Sequence, residues 1–268
     1  MSREEEVEET GWAAYRLMAD VEAIRNDALT KEVVDEHAGN CWADANKSVM
    51  MYMIRGSGKL NVVLSHPDEF DTSTWTRVQY LTELRKCYAD VDPRALRLIN
   101  LSNGPITNWP VHQVAKLPAW TSQSGRFVLI GDAAHAMAFY LSMGVSLAIE
   151  DARALATALE LRSSSQDTTM LATAMHLFEK VRKPRAERIR DASLHAGAML
   201  HLLPGSERDL RDESARRDGA VLESRRGDAL LDWTSYGITD KVIRGDCYGY
   251  DVDAEMRRQA QEDGILLP

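Results

Sequence analysis

The sequence has 268 residues, enough for one large domain or two small ones with a substantial buried core. Hydrophobic residues make up 44% and charged residues 27%, as in an ordinary globular protein. The net charge of -9 argues against a nucleic-acid partner and against an anionic membrane surface, because both require a basic face.

The first part of the chain is predicted to form a sheet with helices. Residues 11–24 suit a strand that runs into a short helix, and residues 48–55 and 59–65 suit two strands joined by a glycine-rich hairpin turn. Apolar residues at helical spacing predict helices over 75–88 and 94–101. Another strand is expected around Pro110, which cannot donate a ladder hydrogen bond.

The second part is predicted to be mostly helical. Residues 126–130 form an apolar run of the size of a buried strand, which Gly131 and Asp132 end. An amphipathic helix is expected from about Ser142, with Ser142 as its cap. A linker at 163–167 leads to a long helix near 169–203, which Pro184 should kink or divide. A charged helical segment and a loop-rich end at 233–251 follow.

The long helix carries a basic run, and a solvated face is the expected role of these side chains. The run consists of Arg182, Lys183, Arg185, Arg188 and Arg190.

Three cysteines are too few and too scattered for a disulfide framework or a zinc site, so no metal is expected. The amino terminus is acidic rather than basic and apolar, and no run approaches the roughly 20 apolar residues that span a bilayer. We therefore expect a reduced, cytoplasmic setting.

The strand-to-helix junction at Gly131 and Asp132 has the chemistry of a ligand site. Glycine lets a ligand approach the backbone, and the Asp132 carboxylate can accept hydrogen bonds from ligand hydroxyls. The following helix would point unpaired N–H groups and a positive dipole end at the ligand. A ribityl-isoalloxazine has this profile. The alternative is a tight turn in which Asp132 caps locally.

The run from Gly125 to Met137, with Gly144 and residues 148–152, resembles the second FAD motif of the flavoprotein aromatic hydroxylases, the salicylate-hydroxylase-like group. Residues 51–61, 178–185 and 248–251 are similar to that family's hairpin, its helix behind the flavin and its tail. The resemblance covers most of 11–255 in the right order.

The resemblance implies an FAD-dependent monooxygenase of a small aromatic or polyketide-like molecule. FAD would be reduced by NAD(P)H, and oxygen would pass from O₂ to an electron-rich ring. In this family the Gly-Asp carboxylate holds the ribityl chain and the next helix start faces the pyrimidine edge of the flavin. The implied cofactor-binding residues are Gly131, Asp132, Met143, Gly144 and Val145.

Five side chains are candidates for catalysis or for a substrate pocket, and a packing role is the alternative for each. Acid or base chemistry suits the histidines and tyrosines, and an arginine suits substrate binding. They are His135, Tyr140, Arg16, Tyr52 and His112.

Departures from the family pattern leave other functions open. The family opens with a strand–GxGxxG–helix unit that this sequence lacks, and Ala136, Phe139 and Met143 lie in the loop that usually carries a proline and a glutamine. We therefore expect a truncated form that binds FAD weakly. A cofactor-free cyclase, isomerase or dehydratase, and a non-catalytic partner subunit, are the alternatives. A homodimer or a complementary FAD-domain chain would be the partner.

The expected fold class is α+β. A substrate-domain β-sheet flanked by helices would adjoin the residual strand and helix of an FAD/NAD(P)-binding fold and long C-terminal helices. The expected segments are 1–120 for the sheet domain, 121–205 for the FAD-contacting part and 206–268 for a polar C-terminal segment.

Overall fold

The computed structural model describes residues 7–34, 39–163, 170–224 and 241–265. The chain divides into two compact units. The sheet unit comprises Gly11–Val111 and Leu200–Asp209, and the helical unit comprises Met1–Thr10, His112–Met199 and Leu210–Pro268. The segments expected from the sequence are each continuous, whereas both units combine separate stretches. The segment boundaries at 120 and 205 stay a prediction.

A five-stranded sheet with the order β2-β3-β4-β1-β5 contains the strands of the described residues. Neighbouring strands pair antiparallel in β1 with β4, in β2 with β3 and in β3 with β4. Gly56 and Gly58 have positive φ angles in the β3–β4 turn, which confirms the predicted hairpin. The strands are β1 Val7–Asp20, β2 Asn40–Asp44, β3 Lys47–Ile54, β4 Lys59–Pro67 and β5 Thr107–Val114.

Three helices accompany the strands within the sheet unit: α1 Val21–Arg25, α2 Arg77–Cys87 and α3 Pro93–Leu101. Thr76 and Gln79 form a capping box at the start of α2, and Asp92 caps α3 ahead of a proline at the first helical position. Alternate residues of β1, β3 and β4 share one buried core with α1–α3, and each buried leucine contributes about 1.5–3 kcal/mol. The predicted helices and strands of this region are confirmed.

The remaining described helices lie mainly in the helical unit, and none of them combines the length and apolar character that crossing a bilayer requires. Two ion pairs join this unit's C-terminal residues to its longer helices, Arg153 with Asp253 at 2.8 Å and Lys180 with Asp263 at 2.6 Å. The helices are α4 Asp132–His135, α5 Gly144–Ser163, α6 Met170–Leu200, α7 Ser206–Ser224, α8 Lys241–Tyr248 and α9 Val252–Glu262.

The predicted strand at 126–130 is wrong. In the described part of the chain its backbone pairing is an isolated bridge between Thr121 and Val128, and the Phe127 side chain is 62% exposed. A strand requires a hydrogen-bonded neighbour along its length, and among the described residues backbone pairing here is limited to the bonds between Trp120–Ser122 and Phe127–Leu129. Apolar composition alone therefore did not define a strand at this position.

Three local predictions in the helical region also need correction. Helix α5 begins at Gly144, because Ser142 has a φ of +55° and ends a short 3₁₀ turn instead of capping α5. Helix α6 continues through Pro184 and is not divided there. The expected loop-rich end contains α8, while residues 233–240 and most of the expected linker at 163–167 lie outside the described residues.

Gly125 is predicted to tolerate no side chain. Its φ is +66°, and a Cβ there would lie 2.7 Å from the Cα of Ala172 in α6. Gly264, with a φ of +67° and nothing within 4 Å, belongs to the same unit and is the matched control. Both alanine variants should lose about 1–2 kcal/mol to the positive φ. Gly125→Ala should lose about 1–3 kcal/mol more in urea unfolding, because backbone atoms must move. Equal losses would contradict this account.

Candidate cofactor site

The Gly131–Asp132 turn presents a carboxylate that has no partner among the described residues. Gly131 has a φ of +57° and a ψ of -142°, which strains any residue with a Cβ. Its carbonyl accepts the N–H groups of Ala134 and His135, both at 2.9 Å, and so begins α4. The Asp132 side chain is exposed and has no hydrogen bond or ion pair with another described residue. This carboxylate is therefore available to the hydroxyl groups of a ligand.

The amino terminus of α5 lies beside this turn, because a Cβ at Gly131 would be 3.7 Å from the Cβ of Ala148. The N–H of Leu147 bonds the carbonyl of Met143 at 2.9 Å, so the N–H groups of Gly144 and Val145 precede the first intrahelical bond. These N–H groups and the helix dipole favour a negatively polarised ligand edge. The Met143 side chain is buried, whereas that of Val145 is exposed.

The buried carboxylate of Asp151 forms hydrogen bonds with both ends of the turn. Asp151 of α5 is fully buried, and its Oδ2 accepts the N–H of Gly131 at 2.9 Å and contacts Nε2 of His135 at 2.7 Å. Its Oδ1 accepts Nε of Arg182 in α6 at 2.9 Å. Three donors from three positions in the chain thus converge on one side chain.

Two arginines of α6 face this part of α5. Arg182 lies 2.6 Å and Arg185 3.1 Å from the carboxylate of Glu150, and the guanidinium of Arg185 stacks over the ring of Tyr250 at 4.2 Å. Arg182, Arg185 and Arg190 are 0%, 4% and 6% exposed. The predicted solvated face is therefore wrong for these three residues. Carboxylates neutralise Arg182 and Arg185, and Arg190 donates to the carbonyl of Val114 at 2.8 Å and to Asp191.

Burial on its own raises the pKa of Asp151. Hydrogen bonds from His135, from the N–H of Gly131 and from Arg182, together with the charge of Arg182, outweigh it and leave the pKa below its usual range. The carboxylate is therefore ionised at neutral pH, and Nε2 of His135 is the donor. Nδ1 of His135 is buried with no hydrogen-bond partner among the described residues, and the ring lies 5.5 Å from that of Trp120.

The other candidates occupy different environments. The ring of Tyr140 is buried against α6, because a Cβ at Gly197 would lie 2.4 Å from it. His112 is exposed on β5. The structure supports a packing role for His135 and Tyr140, and catalysis by any of the three stays a prediction.

Arg16 and Tyr52 lie on one face of the sheet unit. Arg16 pairs with Val63 and Tyr52 with Asn61, and residues 61 and 63 of β4 point to the same side. Both side chains are exposed, and Arg16 has no hydrogen bond or ion pair with another described residue. This face is the opposite one from the packed core, and it carries an exposed cation and an exposed aromatic ring on the two strands that flank β4.

A cavity of about 530 Å³ in the sheet unit has a different chemistry. Its lining includes the side chains of Asp68, Glu69, Phe70 and Asp71. None of the five catalytic candidates lines it, and three carboxylates disfavour an anionic aromatic ligand there.

Sequence reasoning assigned no role to Asp151 or Trp120, and it expected Arg182 on a solvated face. The opposite charges of Glu150-Asp151 and Arg182 were visible in two predicted helices, and only the fold shows that these helices face each other. Trp120 carried no signal, because a single tryptophan in a loop-like stretch does not indicate what it packs against.

The chain matches a family described as an FAD binding domain over residues 11–193. It is 31% identical to an FAD-dependent monooxygenase of Arthrinium sp over 239 residues, which are 87% of this chain and 56% of the relative. It is 30% identical to a salicylate hydroxylase of Pseudomonas putida over 203 residues, 72% of this chain and 45% of that enzyme.

The fold agrees with these similarities. A salicylate hydroxylase in a substrate complex superposes with a TM-score of 0.67 at 23% identity, covering 94% of this chain and 57% of the other. The fold is thus the one found in a salicylate hydroxylase. The chain belongs to the FAD-binding-domain family, and it spans about half the length of the relatives just described.

Arg182 is predicted to be essential for stability, whereas Arg153 is not. Both arginines pair with an aspartate at 2.8–2.9 Å, but the Arg182 side chain is 0% and the Arg153 side chain 50% exposed. Arg182→Met should lower the free energy of unfolding by about 3–5 kcal/mol, because it removes the arginine that pairs with the buried charge of Asp151 and one of the two arginines that pair with Glu150. Arg153→Met should cost much less in the same urea titration. Similar losses of unfolding free energy in the two variants would contradict the prediction that the buried pair of Arg182 and Asp151 contributes more to stability than an exposed pair.

The contribution of Asp151 should depend on pH. A carboxyl group whose native pKa is lowered stabilises the fold above its unfolded pKa, about 3.9, and loses this effect as the pH falls through the native pKa. The stability difference between the unaltered protein and Asp151→Asn should therefore be largest near neutral pH and shrink below about pH 4. Urea unfolding at several pH values measures it. A difference that grows on acidification would contradict the lowered pKa.

Proposed function

We propose that this chain is the flavin- and substrate-facing part of an FAD-dependent monooxygenase that hydroxylates a small aromatic or polyketide-like molecule. The observation that carries the proposal is the Asp132 carboxylate beside the amino terminus of α5, which is exposed and has no partner in the described part of this chain of the FAD-binding-domain family. The Asp132 carboxylate can accept hydrogen bonds from the hydroxyl groups of the ribityl chain. The N–H groups at the start of α5 can donate to the negatively polarised edge of the isoalloxazine ring.

FAD, when bound, would supply electron transfer from NAD(P)H and oxygen transfer to the substrate. Asp132 would accept hydrogen bonds from ribityl hydroxyls. The N–H groups of Gly144 and Val145 would donate to the electron-rich edge of the ring system, where a helix terminus stabilises negative charge. Met143 contributes backbone only, because its side chain is buried.

The substrate would bind on the face of the sheet that carries Arg16 and Tyr52. The relatives include a salicylate hydroxylase and a hispidin-3-hydroxylase, whose names indicate small aromatic substrates. Arg16 is exposed with no partner in the part of the chain that the structure describes, which suits an acidic or phenolic group, and the exposed ring of Tyr52 suits an aromatic one. His112 stays a candidate from the sequence alone.

A cofactor-free enzyme or a non-catalytic subunit receives no support from the relatives, because two of them are named as FAD-dependent monooxygenases and another as a hydroxylase. A cytoplasmic setting is part of the proposal and is supported by the cysteines, which form no disulfide. A homodimer or a complementary FAD-domain chain is likewise proposed as the partner.

Titration of the purified chain with FAD, followed by flavin fluorescence, tests the cofactor assignment. Asp132→Ala should weaken FAD binding about tenfold to a hundredfold, because it removes charge-assisted hydrogen bonds. Asp68→Ala, which removes another exposed carboxylate, should leave the affinity unchanged. An unaltered chain with no affinity for FAD, or an Asp132→Ala variant with full affinity, would contradict the proposal.

The same titration tests the weak binding expected from the sequence. The family's GxGxxG unit contributes hydrogen bonds to FAD that this sequence does not supply. Loss of three such charge-assisted hydrogen bonds would weaken FAD binding by roughly three to six orders of magnitude. We therefore expect the chain to be purified colourless and to bind FAD only when FAD is added. Yellow protein with stoichiometric flavin would overturn that expectation and leave the assignment of the site intact.

A further inference from the structure

Asp151 holds both ends of the short helix that carries Asp132. One of its oxygens, Oδ2, accepts the N–H of Gly131, which precedes α4, and the donor Nε2 of His135, which ends α4. Asp132 lies between these two fixed points. Its carboxylate has no other interaction with described side chains that would place it.

The acceptor strength of Asp151 depends on its charge, and the surrounding residues maintain that charge. Arg182 binds the second oxygen at 2.9 Å, and Glu150 balances Arg182 and Arg185. Hydrogen bonds to an ionised acceptor are roughly twice as strong as neutral ones. Asp151 itself is fully buried and cannot reach a ligand.

We propose that Asp151 is the positioning residue of the FAD site. It aims the carboxylate of Asp132 and the backbone of Gly131 at the cofactor through the turn, without contacting the cofactor. The inference rests on the proposed function, because it assigns to the turn the cofactor named there. A positioning role differs from a purely structural role in one respect. Loss of Asp151 should then raise amide hydrogen exchange at the turn more than in the rest of the fold.

Asp151→Asn is the informative substitution because it keeps the size of the side chain. The asparagine side chain has one oxygen acceptor, which can face either the turn or Arg182. In each orientation its NH₂ group faces the donors on the remaining side. The ionised acceptor is lost in both orientations. Glu179→Gln is the matched control, since Glu179 is a carboxylate of the same unit that accepts the backbone N–H of Thr121 at 2.9 Å.

Amide hydrogen exchange measures how strongly the hydrogen bond to Asp151 protects the N–H of Gly131, and it requires no cofactor. In Asp151→Asn the exchange at Gly131 should rise about tenfold to a hundredfold, with Thr121 unchanged. In Glu179→Gln the exchange at Thr121 should rise and the exchange at Gly131 should stay unchanged. An increase spread evenly over the helical unit, or no increase at Gly131, would overturn the proposal.

The affinity for FAD provides the second measurement. Asp151→Asn should weaken binding about tenfold or more. Combined with Asp132→Ala it should add little to the loss caused by Asp132→Ala alone, because both changes remove the same contact. Fully additive losses would overturn the proposal, since Asp151 would then act elsewhere.

A second variant covers the case in which Asp151→Asn does not fold. His135→Ala removes one of the two donors from the turn and leaves the buried carboxylates and guanidinium groups in place. It should raise exchange across 132–136 and weaken FAD binding, and no change in either would contradict the proposal. If the unaltered chain binds no FAD, the proposed function fails, while the exchange at Gly131 still decides whether Asp151 holds the turn.

Discussion

The buried carboxylate of Asp151 is the constraint on which the Gly131–Asp132 turn depends. A charge removed from water is costly unless it is paired and hydrogen-bonded, and here three donors satisfy it. Arg182 must then be buried with it, Glu150 must balance Arg182 and Arg185, and the ring of Tyr250 covers the guanidinium groups. The contacts between α5, α6 and the C-terminal residues of this unit follow from that arrangement.

This constraint also separates the two acidic residues that matter at the turn. Asp132 is exposed and has no partner among the described residues, which suits the proposed ligand-binding role, while Asp151 is buried and hydrogen-bonded by three donors, which suits a supporting role. The loop after α4 is less favourable to a flavin than the family pattern, since Met143 turns its side chain inward. Backbone N–H groups at the start of α5 therefore carry the interaction with the ring system in our account.

Much of the sheet unit could be predicted from the sequence, because the segments that form β1, β3 and β4 are short runs rich in apolar residues and glycines mark the hairpin. The resemblance identified the family and the Gly131–Asp132 turn. The apolar run at 126–130 was misjudged because pairing depends on neighbours that composition does not reveal. The basic run on α6 was misjudged for a similar reason: Arg182 and Arg185 are buried only because Glu150 and Asp151 lie across from them. Local patterns specify elements, whereas buried charge networks depend on which elements meet.

The most direct measurement of the central claim is an NMR titration of the isotopically labelled chain with FAD. The account predicts that the amide signals of Gly131, Asp132 and Gly144 shift together and saturate at one affinity, because the turn and the start of α5 form one binding surface. Shifts that appear around the acidic cavity at Asp68, or no saturable shifts at all, would contradict it.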